Sequence, residues 1–324
     1  MKLPVIMIEG EGIAEVWEKS LLALWEKGTD VKTEYDKATD SPSKDATMIM
    51  VVNQPFSEPR VHLGFPGGPE DLEKYRQEVV FGVHDHWINP KEGKWTYTYH
   101  DRLFNYHLPQ DLNLGVHSVK DRLPLGKHMS RRNVGTASNG VNQVNYLIEK
   151  LSSTHYSRRA QAITWIPFYD PNTYDPPCLQ RVWCRIFDLP APINERQAGE
   201  NSELYLIMNT HWRSRDAYRA AFMNLFGITE LQKYIAEEIS KRINREVRIG
   251  RYVDIADSYH IYGESFPDFT DRFLNLLNKR EFYNPERTKS RTIRSDDPAA
   301  VEGFQYGRKL LEMEKQTGKK GVGS

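Results

Sequence analysis

Three β-prone segments follow one another in the middle of the chain, divided only by turns rich in Pro, Asn and Asp. They are Ala160-Gln-Ala-Ile-Thr-Trp-Ile, Leu179-Gln-Arg-Val-Trp-Cys-Arg-Ile-Phe and Glu203-Leu-Tyr-Leu-Ile-Met-Asn-Thr-His-Trp. A doubly wound parallel sheet places a helix between successive strands, so this run selects an antiparallel or mixed sheet instead. Around it, amphipathic spacing predicts helices over 12–27, 71–83, 140–151 and 215–238, with a closing helix over 267–282. Further strands are predicted at 46–53, at Trp95-Thr-Tyr-Thr-Tyr and at 250–262. The reading is one α+β domain over 1–324, a large mixed or antiparallel sheet packed by helices, with a polar loop at 30–45 and a flexible tail from about 315.

At 324 residues and 39% hydrophobic composition the chain can bury a substantial core, which excludes global disorder. Lys+Arg and Asp+Glu both number 44, so net charge offers no long-range attraction to nucleic acid or to an anionic membrane, and any anion site is local. Cys178 and Cys184 fit neither a metal-site spacing nor a disulfide framework, and suit a reducing compartment. No stretch approaches the roughly 20 apolar residues of a membrane helix. A cytoplasmic protein without metal, membrane or nucleic-acid partner is expected.

Cys178 follows Pro176-Pro177 at the start of a strand, where a side chain can face a cleft. A buried structural thiol is one reading, and a nucleophile needing a cation beside it is the other. Arginines supply candidates: Arg158-Arg159 before one strand, and Arg213-Ser214-Arg215-Asp216 where a strand passes into a helix. Such pairs either form a solvated edge or grip phosphate oxygens with their guanidinium forks. Alternation along 257–262 puts Ser258, His260 and Tyr262 on one face, a wall suited to a sugar hydroxyl or to a structural histidine.

Taken in order, Ser157-Arg158-Arg159, Pro176-Pro177-Cys178, Arg213-Ser214-x-Asp216 eight residues before Asn224, and His260-x-Tyr262 resemble the thymidylate synthase family, in its methanogen form. The resemblance runs from about Glu78 to Tyr262. It implies that Cys178 adds to carbon 6 of a pyrimidine, that Arg213 contacts phosphate and thiol, and that Ser214 adds a phosphate hydrogen bond. Arg158 and Arg159 would reach the neighbouring subunit's phosphate in a homodimer built through the sheet. Asn224 would read the pyrimidine edge, favouring uracil, while His260 and Tyr262 hold the sugar 3′-hydroxyl and Asp216 the pterin. Glu78 matches the general acid/base, and Tyr97 the tyrosine near the proton leaving carbon 5.

The implied reaction converts dUMP to dTMP with methylene-tetrahydrofolate or a methanopterin analogue. The alternative within the superfamily is 5-hydroxymethylation of dUMP, dCMP or CMP, with water completing the reaction. Departures from the family pattern are Leu179 in place of His, Trp212 in place of Gln, and Ala220-Ala-Phe-Met in place of Gly-x-Pro-Phe. The N-terminal Arg-Thr-Gly loop is missing, leaving Lys32, Lys37 or Lys44 to supply its charge.

Overall fold

The computed structural model describes residues 3–92, 95–107, 140–189 and 202–319. Alternation fixes the faces of the sheet. In β7 (Glu203–Asp216) every second side chain from Leu204 to Trp212 is buried, whereas Tyr205, Ile207, Asn209 and His211 are half-buried. One face therefore takes the helices. Among the described residues seven strands form the sheet, in the order β1 (Val5–Gly10), β3 (Ser43–Val52), β8 (Val247–Ile261), β7, β6 (Leu179–Leu189) and β5 (Gln161–Ile163), with β2 (Thr29–Val31) also paired to β3. β1 with β3 and β7 with β8 are parallel; the remaining pairs are antiparallel. The expected α+β mixed sheet is the one observed.

Helix α1 (Ile13–Lys27) lies on the buried face, and Trp17 anchors it, its indole N–H donating to the Ala217 carbonyl at 2.8 Å. Edge-on and tilted rings of His62, Phe222 and Phe273 surround Trp17 at 5.0–5.4 Å. The long α5 (Ala221–Ile243) packs on β7 and β8, and α2 (Pro69–Phe81) crosses it from outside. That crossing needs a glycine. A Cβ on Gly227 would meet the Tyr75 ring at 2.6 Å. Outside α2 lies a last helix, α8 (Pro298–Thr317), opened by Asp297 as N-cap and Pro298 at its first position. A short β4 (Val61–His62) pairs with β9 (Thr292–Ile293) apart from the main sheet.

Several expected elements differ. Trp95–Tyr99 is not a strand: Trp95 forms an isolated bridge with Ile88, and Thr98 accepts the Asp101 amide to start α3 (Tyr99–Phe104). The helix expected from 215 begins at Ala221, because β7 continues alongside β8 as far as Asp216 opposite His260. The helix expected over 267–282 runs from α6 (Phe266–Asp268) through a π-helical turn at Phe269–Leu274 to α7 (Asn275–Lys279), and it does not close the chain. β2 and β3 shorten the polar loop to 32–42, where Asp36 accepts the Thr33 amide at 2.6 Å and Asp40 the Lys37 amide at 2.8 Å. Residues 315–317, expected in a tail, are helical, with Gly318 as a left-handed cap. The remaining predicted helix is α4 (Gln143–Ser153).

Candidate active site

Cys178 sits immediately before β6, and the arrangement there begins with Arg213. The Arg213 amide donates to the Cys178 carbonyl at 2.9 Å. Its guanidinium donates to the carbonyls of Pro177 at 3.1 Å and Pro176 at 2.7 Å. Proline withholds amide donors and stiffens the turn, so the guanidinium clamps a segment already restricted in conformation. Pairing between β6 and β7 shifts register between Leu179 and Arg181, next to the cysteine, as bulges do where a side chain is re-aimed. Cys178 is consequently half-buried, whereas Cys184 is fully buried.

Burial pushes the Cys178 thiol up; Arg213 and, more weakly, Arg215 pull it back, while Asp175 opposes them. The balance is a raised pKa, so the resting group is a thiol and the cation beside it offsets desolvation only in part. Arg215 itself is buried, ion-paired with Asp254, its guanidinium stacked 4.3 Å over the Trp212 ring. Trp212 and Leu179 face each other across β6 and β7 with essentially no exposure, so these two departures from the family pattern belong to the core rather than to a cleft wall.

A cleft of about 540 Å³ opens beside the cysteine turn, lined by Glu78, Trp95, Tyr97, Tyr99, Tyr174 and Asp175. Tyr99 accepts the Leu179 amide at 3.3 Å, and the Tyr97 ring lies 5.6 Å from it. Burial raises both phenols strongly, and a thiolate at Cys178 adds to the effect when it forms. Glu78 borders this cleft and also a second one of about 430 Å³ with Phe65, Tyr75, His84, Met223 and Glu314.

Asn224, in the first turn of α5, is buried, and its amide donates to the Tyr75 hydroxyl at 2.7 Å. His260 and Tyr262 pack edge to face at 4.5 Å. The Ser258 hydroxyl donates to Asp45 at 2.6 Å and lies 3.2 Å from His260 Nδ1. His260 Nε2 is buried and has no hydrogen-bond partner among the described residues. Burial lowers His260 to about 4, so it is neutral near pH 7, and burial raises Tyr262 to about 12. Asp216 accepts the Tyr218 and Arg219 amides through Oδ1 at 3.0 and 2.9 Å, shaping the turn into α5. Ser214 is half-buried opposite Ser258 in the strand register.

Arg158 and Arg159 stand apart, exposed beside β5 at the sheet edge. Lys44 is ion-paired with Asp30 and Lys37 with Glu264. Among the described residues no cluster of three His, Cys, Asp or Glu is placed to hold a metal, and no helix is long and apolar enough to cross a membrane.

No protein-family model matches the chain. Curated relatives do. A protein of Methanocaldococcus jannaschii named "Putative thymidylate synthase" is 26% identical over 275 residues, which cover 83% of this chain and 96% of the relative. Relatives of the same name from Methanosarcina mazei and Methanosarcina acetivorans are 24% and 23% identical, each covering 84% of this chain and 96% of their own length. The chain resembles thymidylate synthases. The resemblance read from its ordered motifs thus extends over nearly the full length of these relatives. Among solved structures, thermostable thymidylate synthase A from Bacillus subtilis aligns with a TM-score of 0.49 at 16% identity, covering 85% of this chain and 87% of that one.

Sequence reasoning missed Tyr75, Tyr99, His84 and Glu314. Tyr99 was legible as an aromatic residue one alternation beyond Tyr97. The others meet the site only through the crossing of α2 with α5 and α8, which no local pattern announces.

Proposed function

We propose that this chain is an enzyme of one-carbon transfer to carbon 5 of a pyrimidine nucleotide, converting dUMP to dTMP. The observation that carries the reading is the Arg213 clamp on Pro176-Pro177, which sets a half-buried cysteine beside a guanidinium, three residues after Asp175 in the wall of an aromatic cleft. The Cys178 thiolate forms a bond to carbon 6, and the electrons of the ring double bond move toward the carbonyl oxygen, leaving carbon 5 nucleophilic. Arg213 stabilises the thiolate and, with Ser214, contacts the phosphate. Glu78 holds or accepts the proton in play, beside Tyr97.

An amide offers an acceptor and two N–H donors. With one N–H on Tyr75, Asn224 keeps a donor and an acceptor for a uracil edge. His260 Nε2, without a partner among the described residues, and the adjacent Tyr262 suit the sugar 3′-hydroxyl. The flat walls of Trp95, Tyr97 and Tyr174 and a cleft of about 540 Å³ fit a pterin; Asp216, outside that lining, is the carboxylate contact that the family resemblance implies. Methylene-tetrahydrofolate, or a methanopterin analogue, would supply the carbon and, in methylation, the hydride. Leu179 and Trp212 pack in the core and line neither cleft, so methylation is preferred over hydroxymethylation on the likeness to thymidylate synthases and not on these two positions.

The open sheet face supports a homodimer. A row across it runs Met7, Ile49, Ile255, His211, Arg181 and Ile163, and Val5, Met7 and Ile163 are exposed. Joining two such faces back to back would bring the exposed Arg158 and Arg159 toward the partner's phosphate site. Free Cys178 and Cys184 suit a cytoplasmic setting.

Incubation with methylene-tetrahydrofolate and, separately, dUMP, dCMP, UMP and CMP tests the reading by mass spectrometry of the nucleotide and absorbance of dihydrofolate. A methyl gain on dUMP with dihydrofolate formed is expected, and Cys178→Ala abolishes it while nucleotide still binds. A hydroxymethyl gain without dihydrofolate makes the enzyme a hydroxymethylase, and turnover by Cys178→Ala refutes the covalent route.

A further inference from the structure

His84 lies two residues beyond the left-handed Gly82 that ends α2, and that turn folds it back under the helix. Its Nδ1 is 2.7 Å from Glu78 Oε2, and its Nε2 is 3.0 Å from Glu314 Oε2 on α8. His84 and Glu314 are each 5% exposed. Burial works against the charged imidazole, yet the two carboxylates outweigh it and raise its pKa. An imidazole held at both nitrogens can neither rotate nor change its tautomer freely. Glu78 Oε2 is engaged in this contact, and the same residue lines the cleft with Tyr97.

We propose that His84 and Glu314 are positioning residues for Glu78, so that the last helix, outside the motif order, completes the site from behind. The proposal rests on the reading of Glu78 as the acid–base carboxylate. Its physical basis is geometric: a carboxylate on a helix surface samples several rotamers, and a donor fixed from the far side selects one. Glu314 in turn fixes the ring. The two contacts join residues 78, 84 and 314, all three of which line the second cleft, while Glu78 alone of them also lines the cleft with Tyr97.

The test follows tritium release from [5-³H]dUMP in the presence of methylene-tetrahydrofolate, with nucleotide KM measured alongside. Glu314→Ala and His84→Ala are expected to slow release about tenfold with KM unchanged, a part of the about 10²–10⁴ that general acid–base catalysis contributes as a whole. His84→Asn, whose amide can replace Nδ1 as donor to Glu78, recovers part of the rate. Glu314→Gln, which keeps the shape, falls between Glu314→Ala and wild type and serves if Glu314→Ala does not fold. Leu310→Ala, buried on the same helix but outside the His84–Glu314 hydrogen bond, lowers Tm and leaves release at the wild-type rate. Wild-type release by the Glu314 variants, or equal loss in Leu310→Ala, overturns the proposal while Glu78→Gln remains inactive. Wild-type release by Glu78→Gln overturns the reading of Glu78 itself, and the proposal with it.

Discussion

At the residue scale the cysteine is the most exacting case. An ordinary thiol titrates near 8.5. Burial shifts Cys178 upward, with Asp175 contributing and Arg213 and Arg215 opposing. The thiolate fraction at neutral pH is therefore smaller than for a free cysteine, and alkylation by iodoacetamide should rise through a midpoint above the free-thiol value. Asp175→Asn removes a negative charge that favours the thiol form, so its midpoint should move down and its rate at pH 7 increase a few-fold. Arg213→Met should move the midpoint further up. Cys184 is inaccessible and its thiol is also raised by burial, so native-state alkylation followed by mass spectrometry reports Cys178 alone. An unshifted midpoint in Asp175→Asn would show that this carboxylate does not act on the thiol. Cysteine, arginines, asparagine and histidine were legible in the sequence because type and order carry their chemistry. The net direction of the thiol shift was not, because desolvation depends on burial, which only the fold specifies.

Elements were legible where periodicity was uninterrupted. The run of consecutive strands gave the mixed sheet, and the apolar spacing of Val144, Leu147 and Leu151 gave α4, because a single buried face was at work in each. Trp95–Tyr99 failed because alternating aromatics line a cleft there, and Thr98 as N-cap turned the chain into α3. α8 went unread although Asp297-Pro298 marks its start, since its buried positions Ala300, Gly307, Leu310 and Glu314 include a glycine and a carboxylate. The crossing of α2 with α5 makes a prediction of its own. Gly227→Ala gains helix propensity of about 1 kcal/mol. The added Cβ, however, would lie 2.6 Å from the Tyr75 ring, which holds Asn224. Overpacking of this kind costs about 1–3 kcal/mol. Gly227→Ala should therefore lower urea-unfolding stability and raise the dUMP KM several-fold. A stabilised variant with unchanged KM would mean that Tyr75 yields without disturbing Asn224.

For the whole molecule the question is where Arg158 and Arg159 act. Both are exposed at the β5 edge, away from the cysteine turn, and an arginine pair left in water contributes little to its own subunit's stability. If the open sheet faces join, each pair serves the opposite site, and activity becomes divisible between subunits. Cys178→Ala alone and the double variant Arg158→Ala, Arg159→Ala alone should both be nearly inactive. Unfolded together and refolded as a mixture, they should form mixed dimers in which one site combines an intact Cys178 with intact arginines from its neighbour. The other site in the same dimer lacks both. Random pairing makes about half of all dimers mixed, each with one working site of two, so about one quarter of wild-type activity should return. Arginines acting within their own subunit would leave every mixed dimer inactive. Recovery of tritium release in the mixture, with no change when the two variants are mixed without unfolding, would therefore locate the pair across the interface, and lack of recovery despite dimer formation would place it in its own subunit.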